Sequence, residues 1–584
     1  MRKTKIVCTM GPATDDENIL RQIMLAGMNV ARLNFSHGTH EEAKVRIETI
    51  KRLREELDLP IAILLDTKGP EIRTKAFKEG RAEIKTGSMF TLTTKDVEGD
   101  ETHVSVTYKD LPKEIHPGVR ILIDDGLIEL EVVSIKNENI VCEVKNGGTV
   151  SNSKSINIPN VSIKMPYLSK KDISDIIFGI ENDVDFIAAS FVRTHQDILD
   201  IRKILEKHDG NDIQIIAKIE NAEGVENIDE ILKASDGIMV ARGDMGVEIA
   251  LEDLPVIQKD LIKKTYRAGK RVITATQMLD SMIRNPRPTR AETTDVANAI
   301  YDGTSAIMLS GETAIGKYPV ESVKTMAMIA ERTERDIDYE KRFENTKCIG
   351  VDVANAISHA TCMTAHDLGA SAIIALTRAG ATARMVSKFR PACPIIAPTM
   401  SPKSRRQLNL SWGVIPIMSE QRENTDELFD HAVDCALETG LVKNGDLVVI
   451  TGGAPLGVSG TTNILKVHMV GHVLVTGDSV TKLHTTGKVC VAKSAEEVKE
   501  NFKDGDIVVV EKATKDMVSM FKKAGGIICE EPGEDNNAAI VGIALDIPVI
   551  TGAKNATKIL KSGTVVTMDA SRGIVYSGEE KIED

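Results

Sequence analysis

"IQIIAKIEN", residues 213 to 221, is apolar along most of its length and then sets Lys218 and Glu220 on either side of Ile219. Side chains two apart in an extended strand share a face, so an ammonium and a carboxylate would project together from one strand end. A surface ion pair is the plain reading of such a Lys-x-Glu, and the rest of the chain must decide whether it holds. Similar groups recur after other short apolar runs: Arg32, Asn34 and Ser36 in "VARLNFSHG", Asp66 and Thr67 after "IAILL", Asp244 in "ARGDMG", Thr276 after "RVITA", and Ser310 and Glu312 after "AIML". Burying so many charges and hydroxyls together without a ligand is costly, so they read as the lining of one site for a polar ligand.

The elements that must position them follow from the spacing. "KIVCTM", "VARLNF", "IAILLD", "FIAASF", "IQIIAKI", "GIMVA", "RVITAT" and "AIMLS" are short β-rich runs with helix-length segments between them, such as "ENILRQIMLAGM" and "DVANAIYDG". This predicts an α/β fold built on a (β/α)8 TIM barrel over residues 1–69 and 168–344, with a doubly wound sheet as the alternative; barrels of this kind keep their chemistry at the C-terminal strand ends. The long interval between the third and fourth runs holds alternating stretches, "GVRILIDDGLIELEVVSI" and "NIVCEVKNGGTV", and predicts a small inserted β-barrel domain over 70–167. "SAIIALT", "CPIIAPT", "VIPIMS" and "DLVVIT" predict a further α/β domain over 345–472. After a polar stretch, "GDSVTKLHTTGK", runs such as "DIVVVEK" and "IPVITGAKNA" predict an additional compact α/β domain over 473–584.

With 584 residues and 42% hydrophobic side chains there is material for several cores. The net charge of -13 argues against nucleic acid or an anionic membrane as a partner. The first residues lack an apolar segment after their basic ones, and no run approaches the ~20 apolar residues that span a bilayer, so a cytoplasmic location is expected. Eight cysteines without a CxxC pair fit reduced thiols rather than a disulfide framework or a zinc site.

Together "CTMGPAT", "ARLNFSHG", "LLDTKGPEIRT", "AKIENAEGVENIDEIL", "VARGDMGVEI", "TATQMLDSM" and "NPRPTRAETTDVANAIYDGTSAIMLSGETAIGKYPVE" resemble the pyruvate kinase family, in order and at matching spacing. The resemblance implies phosphoryl transfer from phosphoenolpyruvate to ADP in glycolysis, with Mg²⁺ (or Mn²⁺) and K⁺. Lys218 matches the lysine that meets the transferring phosphoryl group and the enolate left behind, whose charge calls for a fixed cation. Glu220 and Asp244 match the Mg²⁺ ligands, and Thr276 the residue that protonates the enolate carbon through a water. The N–H groups of Gly243 and Asp244 match the hold on the substrate carboxylate. Arg32 and Arg73 match the arginines that clamp the transferring group and nucleotide, with Asn34, His37 and Lys154 as further nucleotide contacts. Asn34, Ser36, Asp66 and Thr67 match the K⁺ site, and Glu71 stands where K⁺-dependent members carry glutamate and K⁺-independent ones lysine. If Lys154 contacts nucleotide, the inserted domain is a lid.

"TRAGAT", with Thr377, Arg378, Gly380 and Thr382, matches the family's loop for a phosphorylated allosteric effector: AMP, ribose 5-phosphate or a sugar bisphosphate. Ala379 stands where many members have serine. Residues 285–299 match a subunit contact, which implies a homotetramer. "GIICEEPGEDNNAAIVGIALDIPVITGAKNAT" resembles the mobile phosphohistidine domain of phosphoenolpyruvate-utilising enzymes, but Asn537 takes the histidine's place and has no basic ring nitrogen to accept a phosphoryl group. A metal-dependent lyase or aldolase would share the barrel and the Glu/Asp pair but would not need the inserted lid or the K⁺-type oxygen cluster, and a metabolite-sensing scaffold using the later domains would predict damage to the barrel site, where every matched position is intact.

Overall fold

The computed structural model describes residues 1–346, 352–422, 424–453, 461–471 and 473–577. They form two compact units, one of Met1–His359, Ala375–Glu420 and Gly453–Thr462, the other of Ala360–Ile374, Gln421–Gly452 and Asn463–Asp584. The residues expected to make one domain, 345–472, are divided between the two, and residue 472, at its expected border, lies outside the described residues.

In the first unit, β1 (Lys5–Thr9), β2 (Val30–Asn34), β3 (Ala62–Asp66), β4 (Phe186–Ala189), β5 (Gln214–Ile219), β6 (Gly237–Ala241), β7 (Arg271–Ala275) and β8 (Ala306–Leu309) close into a barrel. Every pairing is parallel, and β1 lies between β2 and β8. Strands covered on both faces need apolar residues at nearly every position, which is why these runs read as continuous rather than alternating. Val7, Val30, Leu64, Phe186, Ala188, Ile216, Met239 and Ile273 fill the interior, while Ile6, Ala31, Ile63, Ile187, Ile215 and Ile238 pack outward. The two-residue period carries the inward row on to the strand ends: Val30 to Arg32, Leu64 to Asp66, Ala188 to Ser190, and Ile216 to Lys218 and Glu220. Side-chain caps start the surrounding helices, as where Ser169 and Asp172 box the N-terminus of Lys170–Glu181.

The insert is a seven-stranded sheet running from Ile72–Arg73 to Ser155–Asn157, with a two-stranded ribbon of Arg81–Ile84 and Gly148–Ser151. The two edge strands of the sheet, Ile72–Arg73 and His103–Ser105, meet through the bridge of Thr74 with Val106, supported by Lys75 N–H to Ser105 O at 2.8 Å and Thr107 N–H to Arg73 O at 2.9 Å. Phe90, Ile121, Leu130 and Ile140 form its own buried core. Elsewhere in the first unit, Ile395–Thr399 pairs in parallel with Val414–Met418.

In the second unit, an eight-stranded mixed sheet gathers strands from Val473–Thr476 to Ile574–Ser577. The polar stretch expected to separate domains is part of it: His484–Ala492 pairs with Val565–Asp569, and Thr486 and Thr567 share a hydroxyl contact of 2.9 Å. Threonine-rich strands of this kind look like loops in sequence because their stability comes from cross-strand partners. The strand Thr462–Met469 was likewise not expected. No described helix is long and apolar enough to cross a membrane.

Phe186 is fully buried in the barrel, 5.5 Å from the Arg271 guanidinium. Phe186→Ala should cost about 3–5 kcal/mol through the cavity it leaves, read as a lower urea midpoint for the first unfolding transition; an unchanged midpoint would contradict this packing.

Candidate active site

Lys218 answers the question raised by its strand. Its Nζ lies 2.9 Å from Glu220 Oε1 and 3.2 Å from Asp66 Oδ1, and donates to Ser190 Oγ at 2.7 Å. Asp66, fully buried at the end of β3, also accepts from Arg32 Nε at 2.6 Å and Ser190 Oγ at 3.0 Å. Arg32 reaches back to Thr9 Oγ1 at 2.9 Å. Groups on the ends of β1 to β5 are therefore joined in one buried network, and the surface-pair reading of Lys218 and Glu220 fails.

The electrostatics follow from that burial. Desolvation pushes the Asp66 carboxyl up, but Arg32 and Lys218 outweigh it and hold it below the usual carboxylate range. Burial likewise disfavours the Lys218 ammonium, and Asp66 and Glu220 more than reverse that, so it stays charged. Burial pushes Glu220 up, Lys218 opposes, and Asp244 adds to the rise. Glu220 Oε2 accepts from Phe191 N–H at 2.6 Å, whereas the buried Oε1 faces only the Lys218 ammonium, 2.9 Å away, among the described residues. A buried carboxylate oxygen left in this state suits a hard cation, and Mg²⁺ is commonly held by one or two carboxylates completed by substrate and water. Asp244, in the first turn of Arg242–Glu248, is half-buried and faces the adjoining cavity. The described residues contain no cluster of three or more metal-ligating side chains.

Thr276 follows β7 in the left-handed region at φ 71. The bond that holds it there comes from the next strand: Arg242 Nη2 donates to Thr276 O at 2.6 Å while Arg242 Nη1 pairs with Asp295 at 2.7 Å. Thr276 Oγ1 donates to Ala275 O at 2.6 Å and accepts from Gly243 N–H at 2.7 Å. That N–H, expected to hold a carboxylate, is thus engaged by the threonine here. Glu312 is also redirected: its buried carboxylate accepts from Leu279 N–H at 3.0 Å and Ser310 N–H at 2.7 Å, tying two loops together instead of lining the mouth.

A cavity of about 510 Å³ opens between barrel and insert, lined by Glu71, Asp125, Asn157, Arg193, Asp244 and Glu248. A second, of about 340 Å³, is bounded by Thr9, Pro12, Asn34, His37, Glu42 and Arg46. Arg73 and Lys154 line neither; they are neighbours on the insert, Arg73 held by Glu71 at 2.7 Å and Lys154 by Asp124 at 2.8 Å. Asn34 Oδ1 accepts from Ser36 N–H at 3.1 Å, and Thr67 Oγ1 sits 3.3 Å from Ala188 O. Ser190 is the site residue that sequence reasoning passed over, and the signal was available: it directly follows "FIAA", where the other strand ends carry their polar groups. Gly69 must be glycine beside it, because its φ is +74 and a Cβ would come within 2.8 Å of Ser190 O.

Thr377, Arg378 and Gly380 precede the helix Ala381–Ser387, with Gly380 at φ 82. Thr382 is buried, its Oγ1 2.9 Å from Thr462 Oγ1, so its hydroxyl is engaged within the protein. Asn537 opens the helix Asn537–Leu545, and its amide donates to Ala513 O at 2.7 Å.

Comparisons with known proteins agree with this arrangement. Residues 1–323 match the family model for the pyruvate kinase barrel domain, 355–468 that for the pyruvate kinase alpha/beta domain, and 502–573 that for the mobile domain of PEP-utilising enzymes. Pyruvate kinases of Geobacillus stearothermophilus and Bacillus licheniformis are 51% and 50% identical, with the whole of each chain covered. The crystal structure of a pyruvate kinase from Cryptosporidium parvum superposes with a TM-score of 0.77 at 39% identity, over 80% of this chain and 96% of that one. The chain belongs to the pyruvate kinase family of phosphotransferases.

Proposed function

We propose that the chain transfers the phosphoryl group of phosphoenolpyruvate to ADP, giving pyruvate and ATP, and that the buried ammonium of Lys218 is the centre of that chemistry. The observation that carries this reading is the network in which Asp66 and Glu220 keep Lys218 charged beneath an open mouth. The bond between phosphorus and the enol oxygen breaks as an oxygen of the ADP terminal phosphate takes the phosphoryl group. Lys218 and Arg32 meet the charge on the transferring oxygens and the enolate, and Arg73, with Asn34, His37 and Lys154, orients the nucleotide. Thr276 positions a water that delivers a proton to the enolate carbon, and the Gly243–Asp244 backbone would hold the substrate carboxylate once Gly243 N–H leaves Thr276 Oγ1. Glu220 and Asp244 would hold Mg²⁺ or Mn²⁺, supported by the buried Glu220 Oε1, which only the Lys218 ammonium faces; when bound, the ion neutralises charge on the phosphoryl oxygens. Asn34, Ser36, Asp66 and Thr67 offer an all-oxygen set suited to K⁺.

The insert, 70–167, acts as a lid on the barrel of 1–69 and 168–344, supported by Asn157 Nδ2 donating to Glu248 Oε1 at 3.3 Å across the cavity. Residues 345–472, although divided between the two compact units, supply an effector-binding domain that takes a phosphorylated metabolite at Thr377, Arg378 and Gly380, and at Thr382 once its hydroxyl leaves Thr462. Residues 473–584 form a module without a phosphohistidine step. A cytoplasmic homotetramer, joined in part through residues 285–299, completes the reading.

Lys218→Met should lower kcat by several orders of magnitude while leaving the fold intact, measured by pyruvate release; activity within about tenfold of the parent would overturn the assignment. Activity should depend on K⁺, and Glu71→Lys should relax that dependence by bringing its own charge while freeing Arg73 from its 2.7 Å partner. Full parent turnover without any monovalent metal ion would contradict this. One of ribose 5-phosphate, AMP or fructose 1,6-bisphosphate should reduce sigmoidicity in phosphoenolpyruvate; hyperbolic kinetics unaltered by all of them would remove the effector assignment.

A further inference from the structure

Away from the mouth, at the opposite end of β7, a small cavity of about 10 Å³ is lined by the cationic side chains of Lys270, Arg271, Arg384, Lys388 and Arg390, and by no acidic one. Neutral acceptors answer most of these donors. Arg271 donates to Gln214 Oε1 at 2.6 Å, Ser411 Oγ at 3.1 Å and Gln407 O at 3.2 Å. Arg384 donates to Ala379 O at 3.0 Å, and Lys270 to the carbonyls of Leu232 and Ser235. Arg390 is 4% exposed; its Nη1 reaches Ser387 O at 3.0 Å and its Nη2 Gly303 O at 3.1 Å, but its buried Nε finds no acceptor among the described residues. Asp236, the carboxylate acting on Lys270, Arg271 and Arg384, is already paired with Arg202.

Arg271 and Arg390 therefore face only neutral acceptors among the described residues, and Arg390 Nε is an unmet donor, an unfavourable state for buried cations. Burial pushes Arg271 and Arg390 down to about 9, and the neighbouring Arg384 and Arg342 push the same way. Tyr266 and Trp412 offer ring faces to Arg390 at 5.4 and 4.7 Å, which disperses some charge but supplies no acceptor for Nε. A water would satisfy the donor and leave the charge; a monoanion answers both. The volume admits about one water-sized species, which excludes sugar phosphates and nucleotides.

We propose that this cavity binds one small inorganic monoanion of the chloride class, held by Arg390 and Arg271, and that it fastens the segment around residues 384–412 to the barrel base. The assignment is independent of the proposed activity, since none of these residues belongs to the mouth. Anion binding to the folded state raises its stability by mass action.

Crystals of the full chain grown with bromide in place of chloride should show anomalous density within hydrogen-bonding distance of Arg390 Nε. In solution, at constant ionic strength, the parent should unfold about 1–3 °C higher in potassium bromide than in potassium gluconate, whose anion is too large to enter. Arg390→Met and Arg384→Gln should each remove at least half of that difference; if Arg390→Met does not fold, Arg384→Gln decides. No anomalous density, meaning a water only, overturns the proposal. So does density without a difference in unfolding temperature, meaning binding at crystal concentration only, or a difference that survives Arg384→Gln unchanged.

Discussion

An ammonium inside a barrel is tolerable only if carboxylates face it, and this requirement on Lys218 organises the whole mouth. Asp66 from β3 and Glu220 from its own strand supply the charge, and Arg32 from β2 shares Asp66 so that its carboxylate is matched in turn. Removing one partner leaves the others buried without compensation, which lowers stability. Strand register is fixed by the same demand: a slip of one residue would turn Lys218 outward and bring Ala217 to the ligand side.

The less regular backbone around the mouth serves these positions. Phe191 adopts φ 54, and its N–H caps one oxygen of Glu220, leaving the other to face the Lys218 ammonium. Thr276 and Gln277 adopt φ 71 and 55, a conformation sustained by Arg242 from the neighbouring strand end. Glu312 spends a buried carboxylate on two backbone N–H groups, which joins the loops after β7 and β8. Strain of this kind collects where a site must be held in one geometry before its ligand arrives.

The barrel was legible because strands buried on both faces leave long apolar runs, and the polar residue ending each run is conspicuous. The insert was legible as β structure from its alternation, and the Thr74–Val106 bridge links the two edges of its seven-stranded sheet. What did not read was polar structure whose reason lies elsewhere in the fold. His484–Ala492 depends on a partner strand some eighty residues later, Ser190 looked unremarkable in "FIAAS", and Glu312 looked like a ligand although its partners are backbone groups. The engagement of Gly243 N–H by Thr276 depends on two strand ends meeting, which local sequence does not encode.

Incubating the intact chain with phosphoenolpyruvate, ADP, Mg²⁺ and K⁺ while following pyruvate, ATP and inorganic phosphate together separates phosphoryl transfer between two bound molecules from release to water. The proposed transfer should give pyruvate and ATP in equal amounts with phosphate at background; pyruvate accompanied by phosphate in place of ATP, or no turnover of phosphoenolpyruvate, would contradict it.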